Sequence, residues 1–227
     1  MFSWTCTAAI PAQPPIPIAY NPILDTGMDL PFTLVRPSPA TIQALLERSA
    51  HQPFTYSEVG LSAQGYTPPG YTVNARSAVI GRGPRDFQVA REAMQRWSMF
   101  RIGWADICWS DAPIAVDTVV AVLANRFGLW SINPCRVVYT IDDTLDEPHG
   151  SRQRFGFGYG TLPGHLLVGE ERFLIDWNHN TDEITYSIHA FARASNPLVT
   201  AIRPAIVCFQ RQFARASMKA MTHAIHP

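Results

Sequence analysis

The chain has 227 residues, of which 47% are hydrophobic and 16% are charged, and this composition is typical of a folded globular protein. Its 18 basic residues balance its 18 acidic residues, and no basic block marks a surface that would follow a nucleic-acid backbone. No apolar run reaches the roughly 18 residues of a membrane span, and the first ten residues lack the positive start of a signal peptide. We therefore expect a cytoplasmic protein with no nucleic-acid partner and no membrane span.

Cysteine and histidine spacing gives no sign of a metal site. Cys6, Cys108, Cys135 and Cys208 lie far apart and form no CxxC pair, which argues against both a zinc site and a disulfide framework. The seven histidines are scattered, with no HExxH or comparable spacing. We expect reduced, mostly buried thiols, no bound metal and no cofactor.

The first 35 residues are rich in proline. Their PAQPPIPIAYNP stretch favours extended backbone and is incompatible with a helix. We interpret residues 1–35 as an N-terminal arm and residues 36–227 as a single domain.

Local patterns predict two helices and two strands in the first third of that domain. Ser38 to Ala50 has the N-cap and the first-turn proline of a short helix. Strands are predicted at Phe54 to Gly60 and at Tyr71 to Ile80, separated by the turn-rich AQGYTPPG. The GRGP of Gly81 to Pro84 then leads into an amphipathic helix.

Three strands rich in valine and isoleucine follow. They are predicted at Ile102 to Cys108, Asp117 to Asn125 and Cys135 to Ile141. Simple alternation in the third strand places Tyr139 on the same face as Val137.

The stretch from Arg154 to Trp177 contains the strongest pattern of the chain. In its first strand Phe155, Phe157 and Tyr159 fall on one face, and three glycines alternate with them on the other face. Positions without side chains let a sheet coil sharply or let another backbone come close. We therefore expect the aromatic rings to face the interior, with the glycines facing outward or against another backbone.

The second strand of this stretch separates two neighbouring glutamates. Glu171 shares its parity with Phe173, so we expect it to face inward, where desolvation would raise the pKa of its carboxyl. Glu170 shares its parity with Arg172 and is expected in solvent. An inward carboxyl must find hydrogen-bond partners. The candidates on neighbouring segments are His165, Thr161, Tyr139 and Arg136.

A long amphipathic helix closes the chain after one more strand at Ile184 to Ala190. The helix is predicted from Asn196 to Met221, and Pro204 is expected either to kink it or to divide it into a short and a long helix. Its apolar stripe consists of Ile202, Ile206, Phe209 and Phe213. A curved, mostly antiparallel sheet that grips this helix would bury the stripe, so we predict an α+β helix-grip fold. A closed β-barrel with external helices is the alternative.

Several motifs, in this order, resemble a family labelled domain of unknown function nineteen-ninety. They are YSEVG at 56–60, PPGY at 68–71, IGRG at 80–83, Trp97, GLW at 128–130, CRVVY at 135–139, FGFGYGTLPGH at 155–165, GEERF at 169–173 and Gln210. The resemblance covers about residues 35–221, and it departs from the family's AFSRP-like stretch at AFARA, residues 190–194. No agreed activity comes with the family name. The family is distantly similar to the START and birch-pollen-allergen superfamily of helix-grip proteins, which hold hydrophobic ligands or run cyclase and dehydratase chemistry in a cavity.

Three functional hypotheses remain open. The first is a module that binds a hydrophobic small molecule in an elongated cavity between the sheet and the last helix, although the same side chains would also suit a filled core. Its ligand-binding residues would be Tyr139, Phe155, Phe157, Tyr159, Phe173, Trp177, Ile206, Phe209 and Phe213. The second is a cofactor-free acid–base enzyme of the cyclase or dehydratase kind, with His165 and Glu171 as catalytic residues. The third is a non-catalytic subunit that docks through the Pro-rich arm.

Two strand arginines also need a role. Arg136 and Arg154 could anchor a ligand carboxylate, or they could pair with acidic residues on the outer face of the sheet. We favour the second interpretation, because surface ion pairs are the commoner use of such residues.

Overall fold

The structure is a computed structural model that describes residues 32–147 and 150–226. Within these ranges four α-helices and seven strands follow one another. They are α1 Pro39–Ser49, β1 Thr72–Arg82, α2 Gly83–Gln95, β2 Ala105–Cys108, β3 Val119–Arg126, β4 Leu129–Glu147, β5 Gly150–Thr161, β6 Leu167–Asn178, β7 Glu183–Ala194, α3 Pro197–Ala201 and α4 Arg203–Ile225. Two short 3-10 helices lie at Leu61–Gln64 and Ser98–Phe100.

The strands form one sheet in the order β1-β7-β6-β5-β4-β3-β2, and each neighbouring pair is antiparallel. β1 and β2 occupy opposite edges, so the sheet is open and the β-barrel alternative is wrong. The α+β helix-grip prediction is confirmed, because α4 packs with α2 across one face of this sheet. We call the face that carries α2 and α4 the inner face, and the opposite one the outer face.

The glycine-rich strand β5 has the predicted orientation. Phe155, Phe157 and Tyr159 are buried in the main core on the inner face. A Cβ added to Gly156 would collide with the backbone of β6, and one added to Gly158 would collide with the ring of Tyr139 on the outer face. The absent side chains therefore allow neighbouring groups to approach β5 closely, and the prediction for this strand is confirmed.

Two segments cover the outer face. Helix α1 packs its Ile42 and Leu46 against β2 and β3. Its C-terminal end is held by Arg136, whose Nη2 donates to the carbonyl oxygens of Ser49, Ala50 and Gln52 at 3.0, 2.9 and 2.8 Å. The other covering segment, residues 53–71, lies across the ends of β5, β6 and β7, and we call it the outer loop.

The structure corrects one predicted element, divides a second, and leaves a third mostly outside its described residues. Phe54 to Gly60 is not a strand, because its backbone pairs with the sheet only through the N–H of Thr55, which donates to the carbonyl oxygen of Thr161, and its other described hydrogen bonds go to side chains and turns. The terminal helix is divided as one alternative foresaw, with α3 ending at Ala201 and Pro204 in the first turn of α4. The prediction of a proline-rich arm falls mostly on residues 1–31, outside the described part of the chain, and together with the predicted domain boundary it stays a prediction.

Candidate functional site

Strand β6 separates its two consecutive glutamates onto opposite faces of the sheet. Glu171 lies opposite Tyr159 of β5 and Ala190 of β7, and Glu170 lies opposite Gly160 and Phe191. Because Phe173 and Ile175 follow Glu171 on the same face and are fully buried in the main core, the Glu171 carboxyl faces inward. This part of the prediction is confirmed.

The Glu171 carboxyl has a single hydrogen-bond donor among the described residues. The hydroxyl of Tyr159 donates to its Oε2 at 2.7 Å. Burial dominates its electrostatics and raises the pKa of the carboxyl from an ordinary 4.5 to about 7, while the Tyr159 hydrogen bond opposes that rise. Part of the residue still contacts solvent, although protein atoms surround the carboxyl closely. Glu171 is therefore a carboxyl that exchanges its proton near neutral pH.

Other polar groups accompany Glu171 on the inner face. Burial, together with the Glu171 charge, raises the pKa of the Cys135 thiol and of the Tyr186 hydroxyl well above their ordinary values, so both stay protonated. The Tyr186 hydroxyl forms a hydrogen bond of 2.8 Å with the hydroxyl of Ser217 on α4. These groups give the interior several uncharged hydrogen-bonding groups beneath α4.

Small residues surround Glu171 on the side that leads towards the start of α4. On the inner face, β7 carries Ala190, Ala192 and Ala194, and β6 carries Gly169 opposite Ala192. A narrow cleft of about 10 Å³ lies there, enough for about one water molecule. Ile206 and Gln210 of α4 form its other wall. Apart from Leu167, which also lines the cleft, the inner faces of β6 and β7 carry small residues between Glu171 and the start of α4.

The other half of the inner face is filled by aromatic packing. Phe157 stacks on Phe173 with ring centroids 5.2 Å apart and meets Trp97 edge-on at 5.0 Å. Phe155 lies 4.4 Å beneath the guanidinium of Arg91 on α2, and Trp177 packs against Phe87 of the same helix. Of the predicted cavity lining, Phe155, Phe157 and Trp177 therefore act as core residues in this structure.

Apart from Tyr139, the remaining predicted lining residues lie in three places. Tyr159, Phe173 and Phe213 form an aromatic wall next to Glu171, and Phe100 contacts all three rings at 5.3–6.4 Å. Ile206 lines the narrow cleft. Phe209 packs instead against the exposed Phe127 at the β3–β4 turn, with centroids 6.2 Å apart.

The placement of Tyr139 on the inner face is wrong. A β-bulge between Val137 and Tyr139 shifts the pairing of β4 with β5 by one residue, so Val137 pairs with Tyr159 and Tyr139 pairs with Gly158. Tyr139 therefore lies on the outer face, where its hydroxyl is 2.6 Å from that of Ser62. Simple alternation could not predict this, because a bulge changes which residues share a face.

His165 does not join Glu171. Its Nδ1 accepts a hydrogen bond of 2.9 Å from the backbone N–H of Leu167, in the turn before β6. Burial lowers the pKa of its imidazole to about 4, so the ring is neutral at pH 7. The prediction that His165 is a partner of Glu171 is wrong for the described contacts, and the neutral imidazole has a turn-stabilising role.

The expectation that Glu170 lies in solvent is also wrong, because its residue is only 2% exposed beneath the outer loop. Its Oε2 accepts from the Tyr56 hydroxyl and from the Gly60 N–H, both at 2.7 Å. Its Oε1 accepts from the N–H of Ser62 at 3.0 Å and from the hydroxyl of the same residue at 2.5 Å. Four donors from one loop make Glu170 an anchor for that loop.

The two strand arginines have structural partners. Arg136 caps α1, as described above, rather than pairing with an acidic residue. Arg154 forms a two-pronged ion pair with Asp143, with distances of 2.8 and 2.7 Å, and this favours the structural interpretation for that residue.

The described residues also bear on metal binding and membrane insertion. Within residues 32–147 and 150–226, no cluster of three or more His, Cys, Asp or Glu side chains has an arrangement suited to a metal ion. In the same part of the chain, no helix has both the length and the apolarity to cross a membrane. Cys108, Cys135 and Cys208 are free thiols.

The fold and the site define an α+β helix-grip protein in which the inner face of the sheet carries a carboxyl whose pKa is raised by burial. Residues 55–220 match the family model described as Domain of unknown function (DUF1990), and the chain belongs to this family. A UPF0548 protein of Deinococcus radiodurans is 31% identical over 204 residues, covering 85% of this chain and 98% of that protein. A UPF0548 protein of Dictyostelium discoideum is 30% identical over 210 residues, covering 86% and 95%.

Among solved structures, the crystal structure of Ara h 8.0201 aligns with 69% of this chain and 99% of its own. The TM-score is 0.43 at 14% sequence identity. The fold described above rests on the strand order and helix packing of this chain alone.

Proposed function

We propose that this protein binds a hydrophobic small molecule that carries one hydrogen-bonding group, beneath the N-terminal half of α4. The observation that carries this proposal is the buried Glu171 carboxyl, which faces an aromatic wall and has one donor, from Tyr159. A carboxylate can accept about four hydrogen bonds, and buried polar groups are normally satisfied. Glu171 therefore has capacity left for a ligand, whereas Glu170 on the outer face has none to spare.

The neighbouring residues support a site of this kind. Apolar ligand sites combine a hydrophobic and aromatic lining with a few convergent polar groups. The aromatic surface comes from Tyr159, Phe173 and Phe213. The sheet beneath the site carries the small side chains of Ala190 and Ala192, which leave room for a ligand. The cleft of about 10 Å³ is too small for a ligand, so binding requires the start of α4 to move outward. The break between α3 and α4 at Ile202 is where such a movement would occur.

Enlarging a small side chain of the sheet beneath the proposed site tests the proposal directly. Ala192→Leu places a larger apolar side chain in the cleft without changing charge. We expect it to reduce the affinity for the neutral fluorescent probe N-phenyl-1-naphthylamine by about tenfold or more, because the added carbons occupy the ligand volume. Ala205→Leu on the exposed side of α4 is the matched control and should bind the probe as the wild type does.

Native mass spectrometry of the purified protein complements the probe. It should detect a co-purifying apolar molecule in the wild type and less of it in Ala192→Leu. Wild-type protein that carries no such molecule and binds the probe no better than Ala192→Leu would show that these side chains serve only as core.

A second candidate function is cofactor-free acid–base catalysis at the same site. The observation in its favour is the Glu171 pKa of about 7, since a general acid or base is most effective when its pKa lies near the working pH. Glu171 would exchange the proton, and the Tyr159 hydroxyl would orient the carboxyl. His165 has no place in this mechanism, because it bonds to the turn before β6.

A further inference from the structure

The outer face carries a second cleft, which the proposed function does not use. It is open to solvent and has a volume of about 470 Å³. Its walls come from three stretches that are far apart in the sequence: Phe54, Tyr56 and Glu58, then Pro69 and Tyr71, then Arg193. These residues belong to or adjoin the YSEVG, PPGY and AFARA motifs, so the fold brings three of the distinctive stretches of the chain to one place.

Aromatic rings make up the apolar part of this cleft, and they are held from below. Phe54 and Tyr56 have ring centroids 5.7 Å apart. The fully buried Phe191 meets Tyr56 edge-on at 5.9 Å and Tyr71 edge-on at 5.1 Å. The Tyr56 hydroxyl is fixed by its bond to Glu170. The aromatic surface is thus already in place before any ligand arrives, which lowers the entropic cost of binding.

Two opposite charges flank the Tyr71 ring. The guanidinium of Arg193 lies 5.4 Å from the ring centroid, and the Glu58 carboxylate accepts the Tyr71 hydroxyl at 3.0 Å. Among the described residues, Glu58 and Arg193 form no ion pair with each other or with any other side chain. Among the described residues, the hydrogen bonds that Tyr71 and Ser57 donate to the Glu58 carboxylate all reach Oε2, so Oε1 has no donor from another described residue.

We propose that this cleft binds a small zwitterion with an apolar side chain, that is, a free apolar or aromatic amino acid. Its carboxylate would pair with the guanidinium of Arg193, its ammonium with Oε1 of Glu58, and its side chain would lie on Phe54 and Tyr56. Guanidinium and carboxylate groups pair in the two-pronged geometry that arginine favours, and the aromatic rings offer the apolar contact.

The charges argue against simpler ligands. A plain anion would meet the negative Glu58, and a plain cation would meet the positive Arg193, whereas a zwitterion satisfies both groups at once. The size also agrees, because small-molecule sites have volumes of roughly 300–1,000 Å³. The exposed setting predicts modest affinity, in the range of about 0.1–1 mM, since exposed ion pairs contribute little.

Three probes that share one phenyl ring separate the two charges. They are L-phenylalanine, 3-phenylpropanoate, which lacks the ammonium, and 2-phenylethylamine, which lacks the carboxylate. Binding to the full chain is measured by isothermal titration. We expect L-phenylalanine to bind about fivefold or more tightly than either of the other two.

Two variants should then give crossed effects. Arg193→Gln should weaken binding of L-phenylalanine and 3-phenylpropanoate by about fivefold. It should not weaken binding of 2-phenylethylamine, because this cation loses a repulsive charge. Glu58→Gln should weaken binding of L-phenylalanine and 2-phenylethylamine by a similar factor. It should not weaken binding of 3-phenylpropanoate, because this anion loses a repulsive charge. The matched controls, Arg85→Gln and Glu47→Gln, change exposed charges on helices away from the cleft and should bind all three probes as the wild type does.

Two outcomes would overturn the inference. One is the absence of saturable L-phenylalanine binding up to about 10 mM, well above the expected dissociation constant. The other is binding that Ala192→Leu abolishes and Arg193→Gln does not affect, because the amino acid would then occupy the inner face. The first result leaves the inner-face proposal untouched and the second would support it, so the two proposals fail independently.

Discussion

Glu171→Gln should make the protein more stable at alkaline pH than at acidic pH, relative to the wild type. The substitution keeps the shape of the side chain and an oxygen that can accept the Tyr159 hydroxyl, but it removes the ability to ionise. Burial raises the pKa of the Glu171 carboxyl in the folded state, so the folded protein holds a proton that the unfolded chain releases.

The size of the effect follows from the rise in pKa. The pKa of the Glu171 carboxyl rises from about 4.5 in the unfolded chain to about 7 in the folded protein. Each unit of this rise corresponds to about 1.4 kcal/mol of unfolding free energy. The wild type therefore loses stability as the pH rises through this window, and the loss is complete above pH 7. Because part of Glu171 still contacts solvent, we expect about 2–3 kcal/mol rather than the full product.

Urea denaturation at about pH 5 and about pH 8 measures this quantity. The useful number is the difference in unfolding free energy between Glu171→Gln and wild type at each pH. Other titrating groups, including His165 with its lowered pKa, are present in both proteins and cancel in that difference. The difference should become more favourable to the variant by about 1.5–2.5 kcal/mol between the two conditions, because about a quarter of the effect already occurs below pH 5.

Glu47→Gln is the control for the loss of one negative charge, because Glu47 lies exposed on α1. A Glu171→Gln difference that stays constant from about pH 5 to about pH 8 would refute the reasoning. It would mean that the Glu171 carboxyl ionises normally, and the candidate site would lose its central group.

Two further predictions concern residues near the same strand. Glu170→Gln should destabilise the protein by about 2–4 kcal/mol at neutral pH, because an amide nitrogen would face donors that now bond to a carboxylate. Urea denaturation measures this loss, and equal midpoints for the variant and the wild type would contradict the anchoring role. The His165 imidazole should stay neutral until the pH falls to about 4, since burial lowers its pKa, and an NMR titration that finds a midpoint near 6.5 would show that it is solvated.

Alternation in the sequence predicted most of the sheet. The glycine and aromatic residues of β5 identified both faces of that strand, and the parity of Glu171 with Phe173 placed its carboxyl inward. The proline at 204 gave the division between α3 and α4. Each of these inferences depends only on neighbours within one element, where the side-chain period is fixed by backbone geometry.

The errors came from contacts between elements distant in the sequence. Parity placed Glu170 on the face opposite the core, but that face is solvated only if nothing covers it. The outer loop covers it with donors from Tyr56, Gly60 and Ser62, more than a hundred positions earlier. Likewise, the bulge in β4 that turns Tyr139 outward depends on how β4 pairs with β5. The YSEVG motif was the available signal, since it contains two of the three donor residues.

The placement of Glu170 and Glu171 on consecutive positions of β6 also affects how faithfully the chain folds. If β6 paired with its neighbours one residue out of step, every side chain of the strand would change face, and Phe173 and Ile175 would turn outward. The same slip would move Glu170 into the apolar interior, away from its four donors, and would present Glu171 to the outer loop. A shifted alignment of β6 is therefore disfavoured twice, by the loss of hydrophobic burial and by the loss of the hydrogen bonds to Glu170. As a result, β6 has one strongly preferred alignment from the moment the sheet assembles.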